Sequence, residues 1–177
     1  MILRDEHITL RAIEENDAAV LMDMINDPEI EAAVVGWSFP VSLADQKKWI
    51  MSAANDDRNI RYAIDDGNGV VGVAAISSLD FKNRSANMNI KLISSARKKG
   101  YASRASSIMI DYCFNELGMH CLTASVIEDN FASRRLWEKL GFKAEGLLRD
   151  RVFKNGSYKN LVVYSLLRDE YDNRDRQ

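Results

Sequence analysis

Two prolines, two cysteines and two histidines are all that this 177-residue chain carries of those types. With only Pro28 and Pro40 it has no proline-rich linker and no collagen-like repeat. Cys113 and Cys121 are too few for a disulfide scaffold, and with His7 and His120 they form no metal-ligand spacing, so no metal site is expected. There is no run of 18 apolar residues, which excludes a membrane-spanning helix. The start, Met1-Ile2-Leu3-Arg4-Asp5-Glu6, lacks the apolar core of a signal peptide, so a cytoplasmic protein without a membrane partner is expected. Net charge is also scarce: 24 bases against 26 acids leave −2, which gives no general nucleic-acid footprint. What remains is 46% hydrophobic and 28% charged, enough apolar material for one core. A single domain over residues 1–170 is expected, followed by a polar tail at 171–177.

The charge that is present is unevenly spread. Residues 1–31 hold nine acids and two bases, Arg4 and Arg11. Residues 82–104 hold seven bases and no acid. An acidic front and a basic middle suit one molecule that handles a cation and a polyanion together, although Glu14, Glu15 and Asp17 also simply favour a helix N-terminus.

Periodicity supplies the elements. His7 to Ile13 alternates like a strand, Asn16 to Ile25 reads as a helix stopped at Asp27-Pro28, and Ser42 caps a helix running to about Ala54. Strands follow at 61–64 and 70–76, then a strictly alternating one at 87–92. From Tyr101 to Leu117, residues Ala102, Ala105, Met109, Tyr112, Cys113 and Leu117 make one apolar helical stripe. A strand at 121–126, a helix at 131–140 closed by Gly141, and a hairpin turning at Asn155-Gly156 complete the pattern. The order predicts a mixed α/β domain without internal repeats.

Where the basic stretch ends, Arg97-Lys98-Lys99-Gly100-Tyr101-Ala102 leads straight into the long helix. Unpaired N–H groups, the helix dipole and a glycine that permits close approach make such a turn suited to phosphate. Arg97-x-x-Gly100-x-Ala102 is followed by Asn130-x-x-Ser133-x-x-x-Trp137-Glu138-Lys139-Leu140-Gly141-Phe142. Together these motifs resemble the GNAT superfamily of N-acetyltransferases over nearly the whole chain. The resemblance implies a strongly twisted mixed sheet of about seven strands flanked by about four helices. The ending, Glu145 to Arg149, Asn155 to Asn160 and Tyr164 to Leu167, is similar to the ribosomal-protein N-terminal, polyamine and amino-sugar acetyltransferase groups.

This resemblance implies acetyl-CoA as co-substrate, bound between two splayed strands. Main-chain groups near Leu92 and Ile93 would pair with the pantetheine arm. The turn Arg97, Lys98, Lys99, Gly100, Tyr101, Ala102 and Ser103 would hold the pyrophosphate. Asn130, Ser133 and Trp137 would complete the cofactor site. A primary amine would attack the thioester directly, with a peptide or protein N-terminus as the expected acceptor. An amino sugar or polyamine is the alternative, and a catalytically silent acetyl-CoA-binding module is a further one. A homodimer through exposed sheet edges fits the same expectation.

Attack on a thioester needs positioning, removal of an ammonium proton, and protonation of the leaving thiolate. A free aliphatic amine is largely protonated at neutral pH, so a base or a water chain is required. Here the chain departs from the family pattern. The position that often carries a tyrosine acid is Trp137, whose indole N–H is no proton donor of use, which leaves Ser133 as a candidate. Positions that carry glutamates in relatives are Ser125, Ala75 and Ser78. Asp80, Glu128 and Glu31 remain as candidate carboxylates, with Glu31, Tyr158 and Tyr164 expected at the acceptor pocket.

Overall fold

Alternation along Ser85–Leu92 sets the architecture: Ala86 and Met88 are buried on one side, while Asn89 is exposed on the other. A strand with two such faces divides the molecule into a packed back and a more polar front. The structure, a computed structural model, describes residues 1–36, 39–53 and 56–173.

In chain order the elements begin with β1 (Leu3–Arg4), β2 (Thr9–Arg11), a 3-10 turn (Glu15–Asp17), α1 (Ala18–Asn26), α2 (Pro28–Ala33) and α3 (Leu43–Ala53). Then come β3 (Ile60–Asp65), β4 (Val70–Asp80), β5 (Ser85–Leu92), a second 3-10 turn (Ser94–Ala96) and α4 (Tyr101–Asn115). The chain closes with β6 (Cys121–Ile127), α5 (Phe131–Lys139), β7 (Lys143–Lys154), β8 (Ser157–Leu167) and α6 (Arg168–Asp172). The strands form one mixed sheet in the order β1-β2-β3-β4-β5-β6-β8-β7. Every neighbouring pair is antiparallel except β5 and β6, which α4 connects in parallel.

The expected seven strands and four helices become eight and six among the described residues, for local reasons. Two residues, Leu3–Arg4, are enough to add β1 at the edge. Pro28 breaks the first helical stretch, and Asp27 caps the new helix by accepting from the Glu29 N–H at 2.8 Å. The polar tail does not start at residue 171. Tyr171 lies in α6 and packs on Phe114, ring centroids 4.9 Å apart. Residues 174–177 lie outside the described part. The expected helix beginning after Ser42 is present, and Ser42 Oγ accepts from the Asp45 N–H at 3.1 Å.

On the back of the sheet, α4 and α5 bury Ala105, Met109, Cys113 and Trp137 against Ala86, Met88, Ala124, Val126 and Tyr164. Burial pushes the Cys113 thiol up to about 12, which makes it an inert packing group. On the front, α1, α2 and α3 pack Leu21, Met24, Ile30 and Ile50 against Val70, Val73 and Ile93. Gly72 lies opposite Leu92 at the β4–β5 seam, where an added Cβ would come within 2.2 Å of the Lys91 carbonyl oxygen. No side chain fits there, so the two strands meet closely beside the site described next.

Candidate active site

β5 and β6 pair only at their first residues, Ser85, Ala86 and Asn87 against Cys121, Leu122 and Thr123. Beyond that point β5 follows β4 and β6 follows β8, so a gap opens in the sheet. Strand periodicity tells which main-chain groups face it. The Ile93 N–H donates to the Val71 carbonyl at 3.0 Å, so odd-numbered residues of this stretch point to β4. Ile90 and Leu92 therefore turn their N–H and C=O groups into the gap. Across it, the Glu128 N–H donates to the Asn160 carbonyl at 3.0 Å, which directs Ser125 main-chain groups to the gap. Two facing edges with open donors and acceptors can take an extended amide chain as an extra strand. Leu92 is placed for that role, whereas the Ile93 N–H is already used.

At the C-terminal end of β5 the chain turns through Lys98 (φ 63°) and Gly100 (φ 85°) into α4. Left-handed residues alternating with right-handed ones fold successive N–H groups into a concave nest, and glycine takes such an angle without strain. No side chain caps α4, so the N–H groups of Tyr101, Ala102 and Ser103 remain available for an anion. The basic side chains divide their work. Arg97 pairs with Glu29 of α2 at 3.1 Å, and Arg104 with Asp5 at 3.1 Å. The Tyr101 hydroxyl donates to Asp66 at 3.1 Å, a bond that raises the phenol's pKa. Lys98 and Lys99 are exposed and make no ion pair among the described residues. The turn thus fits a pyrophosphate through main-chain N–H groups and two free ammonium groups.

Asn130 caps α5, its Oδ1 accepting from the Ser133 N–H at 3.1 Å, while its Nδ2 donates to the Ala33 carbonyl at 3.0 Å. Its side chain therefore ties the start of α5 to the end of α2, and Ser133 sits in the first turn of α5. Trp137 is 2% exposed and packs on Phe142 with centroids 5.0 Å apart. It forms the floor behind the gap, facing away from the front.

Tyr164 corrects the expectation for the acceptor pocket. Its ring is fully buried on the back face, and its hydroxyl bonds Arg134 (3.1 Å) and Glu138 (2.9 Å). Tyr158 is 65% exposed near the tip of the β7–β8 hairpin, edge-on to Phe153. Asp80 is held in the β4–β5 turn by the Asn83 N–H (2.9 Å) and Nδ2 (2.7 Å), which keep its carboxyl below the usual range. Glu128 accepts from Asn160 Nδ2 at 2.8 Å, directed toward β8. Tyr164 on the back face and Asp80 beside the paired start of β5 therefore lie away from the gap.

Glu31 does reach the front face, where it receives the ammonium of Lys154. Lys154 is only 4% exposed and also donates to the Gly36 carbonyl at 3.3 Å. This pair bridges α2 and β7 across the front. Beside it Lys91 is partly buried and makes no hydrogen bond or ion pair among the described residues. The sequence showed Lys91 only as one of the seven bases of residues 82–104, and Lys154 drew no notice. Its one usable signal was Lys91's place in the alternation of β5, on the same side as Asn87 and Asn89.

A family model described as "Acetyltransferase (GNAT) domain" matches residues 7–143. A putative ribosomal N-acetyltransferase of Bacillus subtilis (strain 168) is 29% identical, covering 95% of this chain and 95% of its own length. A spermidine N(1)-acetyltransferase of Vibrio cholerae is 25% identical, over 96% of this chain and 98% of that one. The crystal structure of Vibrio cholerae spermidine N-acetyltransferase with CoA and spermine aligns with a TM-score of 0.88 at 24% identity. That alignment covers 96% of this chain and 100% of the other and establishes the shared fold. Among the described residues there is no group of three or more His, Cys, Asp or Glu that could hold a metal ion. No helix there is long and apolar enough to cross a membrane.

Proposed function

The chain belongs to the GNAT acetyltransferase family and is an acetyl-CoA-dependent N-acetyltransferase; we propose that its acceptor is a small-molecule primary amine. The amine would enter from the front, because α4, α5 and the core close the back of the gap. The observation that carries this reading is the Lys154–Glu31 bridge, which spans the front from β7 to α2. A slender acceptor passes beneath such a bridge, and the exposed Asn89 and Ser125 supply hydrogen bonds at its foot. The similarity to a spermidine acetyltransferase supports the small-amine class.

On this reading acetyl-CoA lies along Ile90 and Leu92, its pyrophosphate on the N–H groups from Lys98 to Ser103. A peptide N-terminus is the second reading, favoured by the putative ribosomal N-acetyltransferase relative. Release of CoA thiol is the deciding assay, with spermidine, amino sugars and simple primary amines set against Ser- and Ala-terminated peptides. Turnover of small amines alone is the expected result. Turnover of peptides alone replaces the proposal with the second reading.

A further inference from the structure

We propose that Lys91 is the base that takes the proton from the acceptor ammonium. The amine can reach the thioester only from the front, and β5 and β6 are the strands between which the thioester chain would lie. Their front-facing side chains are Asn87, Asn89 and Lys91 on β5 and Thr123, Ser125 and Ile127 on β6. The assignment of faces follows from register and contacts: Lys91 pairs with Val73 of the front cluster, and Thr123 Oγ1 lies 3.3 Å from Asn87 Oδ1. Lys91 is the only titratable group in that set.

Its surroundings suit a base rather than a fixed cation. The elements packed around it offer few charges: Lys154 from β7, paired with Glu31 from α2. α1 turns Ala18, Leu21 and Met24 inward, α3 contributes Gln46 and Ile50, and β4 contributes Val73. At the rim, Arg97 is matched by Glu29, and Asp27 accepts from Ser94. Lys91 therefore has no carboxylate of its own to hold a proton on it. Burial favours its neutral amine, and the Lys154 ammonium acts in the same direction.

The step balances without another reagent. Neutral Lys91 Nζ accepts one proton from R–NH3⁺, and the freed amine attacks the thioester carbonyl carbon. The C–N bond forms and the C–S bond breaks as CoA leaves as thiolate. The second nitrogen proton goes to the thiolate through solvent, and Lys91 returns its own proton to water. Carboxylates that serve as bases attract a cationic amine as well; a neutral lysine beside an occupied Glu31 does not. This site instead accepts the amine through the hydrogen-bonding row of Asn89 and Ser125.

Lys91→Met and Lys91→Arg separate this role from that of a mere positive charge. Both should lose about a hundredfold or more in kcat/KM, the usual share of acid–base catalysis. Both should also lose the rise of kcat/KM with pH, while thermal protection by acetyl-CoA is retained. An active Lys91→Arg enzyme, or an unchanged pH profile, overturns the proposal. Labelling of wild-type Lys91 by an amine-reactive reagent across pH, read by mass spectrometry, tests it without any acceptor. Labelling that rises well below the pH of the exposed lysines is expected, and labelling in step with them overturns it. Neither test depends on whether the acceptor is a small amine or a peptide.

Discussion

Asn130 reaches across 97 positions of sequence to hold the Ala33 carbonyl at 3.0 Å, while its other side-chain atom caps α5. A residue expected to bind the cofactor thus also joins the two helices that border the front and back of the gap.

Replacing it should therefore show in stability as well as in binding. Asn130→Ala is expected to cost about 1–2 kcal/mol, one helix cap plus one hydrogen bond. Asn130→Asp keeps the cap acceptor and loses only the donor to Ala33, so it should fall between the two. Urea unfolding of the three proteins, with acetyl-CoA KM measured beside it, checks both parts. A normal KM in Asn130→Ala would leave the residue a structural role alone.

Gly100 holds φ 85° where the basic turn proposed to hold the pyrophosphate meets α4. Gly100→Val forces a branched side chain into that region at a cost of about 1–3 kcal/mol and reshapes the N–H nest. We expect acetyl-CoA to raise the melting temperature of wild type and to lose that effect in the variant. Arg97→Glu tests the same turn differently, since it sets a second carboxylate against Glu29 and pulls the turn from α2. Full protection in both variants would remove the pyrophosphate assignment.

Trp137→Tyr restores the residue type that relatives often carry, but the site is a closed one. At 2% exposure and packed on Phe142, the indole leaves a void when exchanged for the smaller ring. The expected outcome is a loss of about 1–3 kcal/mol with little gain in turnover. A large rate gain at unchanged melting temperature would show that a missing proton donor limits the enzyme.

Lys91 links catalysis to stability through pH. Its folded pKa is lowered from the ordinary 10.5, so between the two values the unfolded chain binds a proton that the folded chain releases. Folding is then disfavoured at neutral pH and recovers as pH rises toward 10.5. Lys91→Met should raise the melting temperature near pH 7, and the gain should shrink as pH approaches 10. Equal melting temperatures of both proteins across this range would show that burying the amine costs nothing.

Much of the fold was legible in the sequence because local periodicity and punctuation were consistent. The apolar stripe of Ala105, Met109 and Cys113 is fully buried in α4, and the alternation of 87–92 became the two-faced strand β5. The geometry of the basic turn was legible too, since Gly100 before a helix announces its left-handed backbone locally. Tyr164 was not, because one residue of register decides whether a strand side chain faces front or back. The tail was misjudged for a related reason: Tyr171 is stabilised by Phe114 of α4, a partner that nothing near it in sequence reveals.

By itself, then, the sequence determined the order of elements, the basic turn and the family motifs, all set by residues near one another along the chain. Only the tertiary structure decided which carboxylates are already engaged and which partly buried amine is left alone. Asp80 is spent on Asn83, Glu128 on Asn160 and Glu31 on Lys154, while Lys91 stands without a partner among the described residues. The physical reason is that a side chain's charge and protonation depend on what surrounds it, and two of those three partners come from more than 30 residues away in the chain.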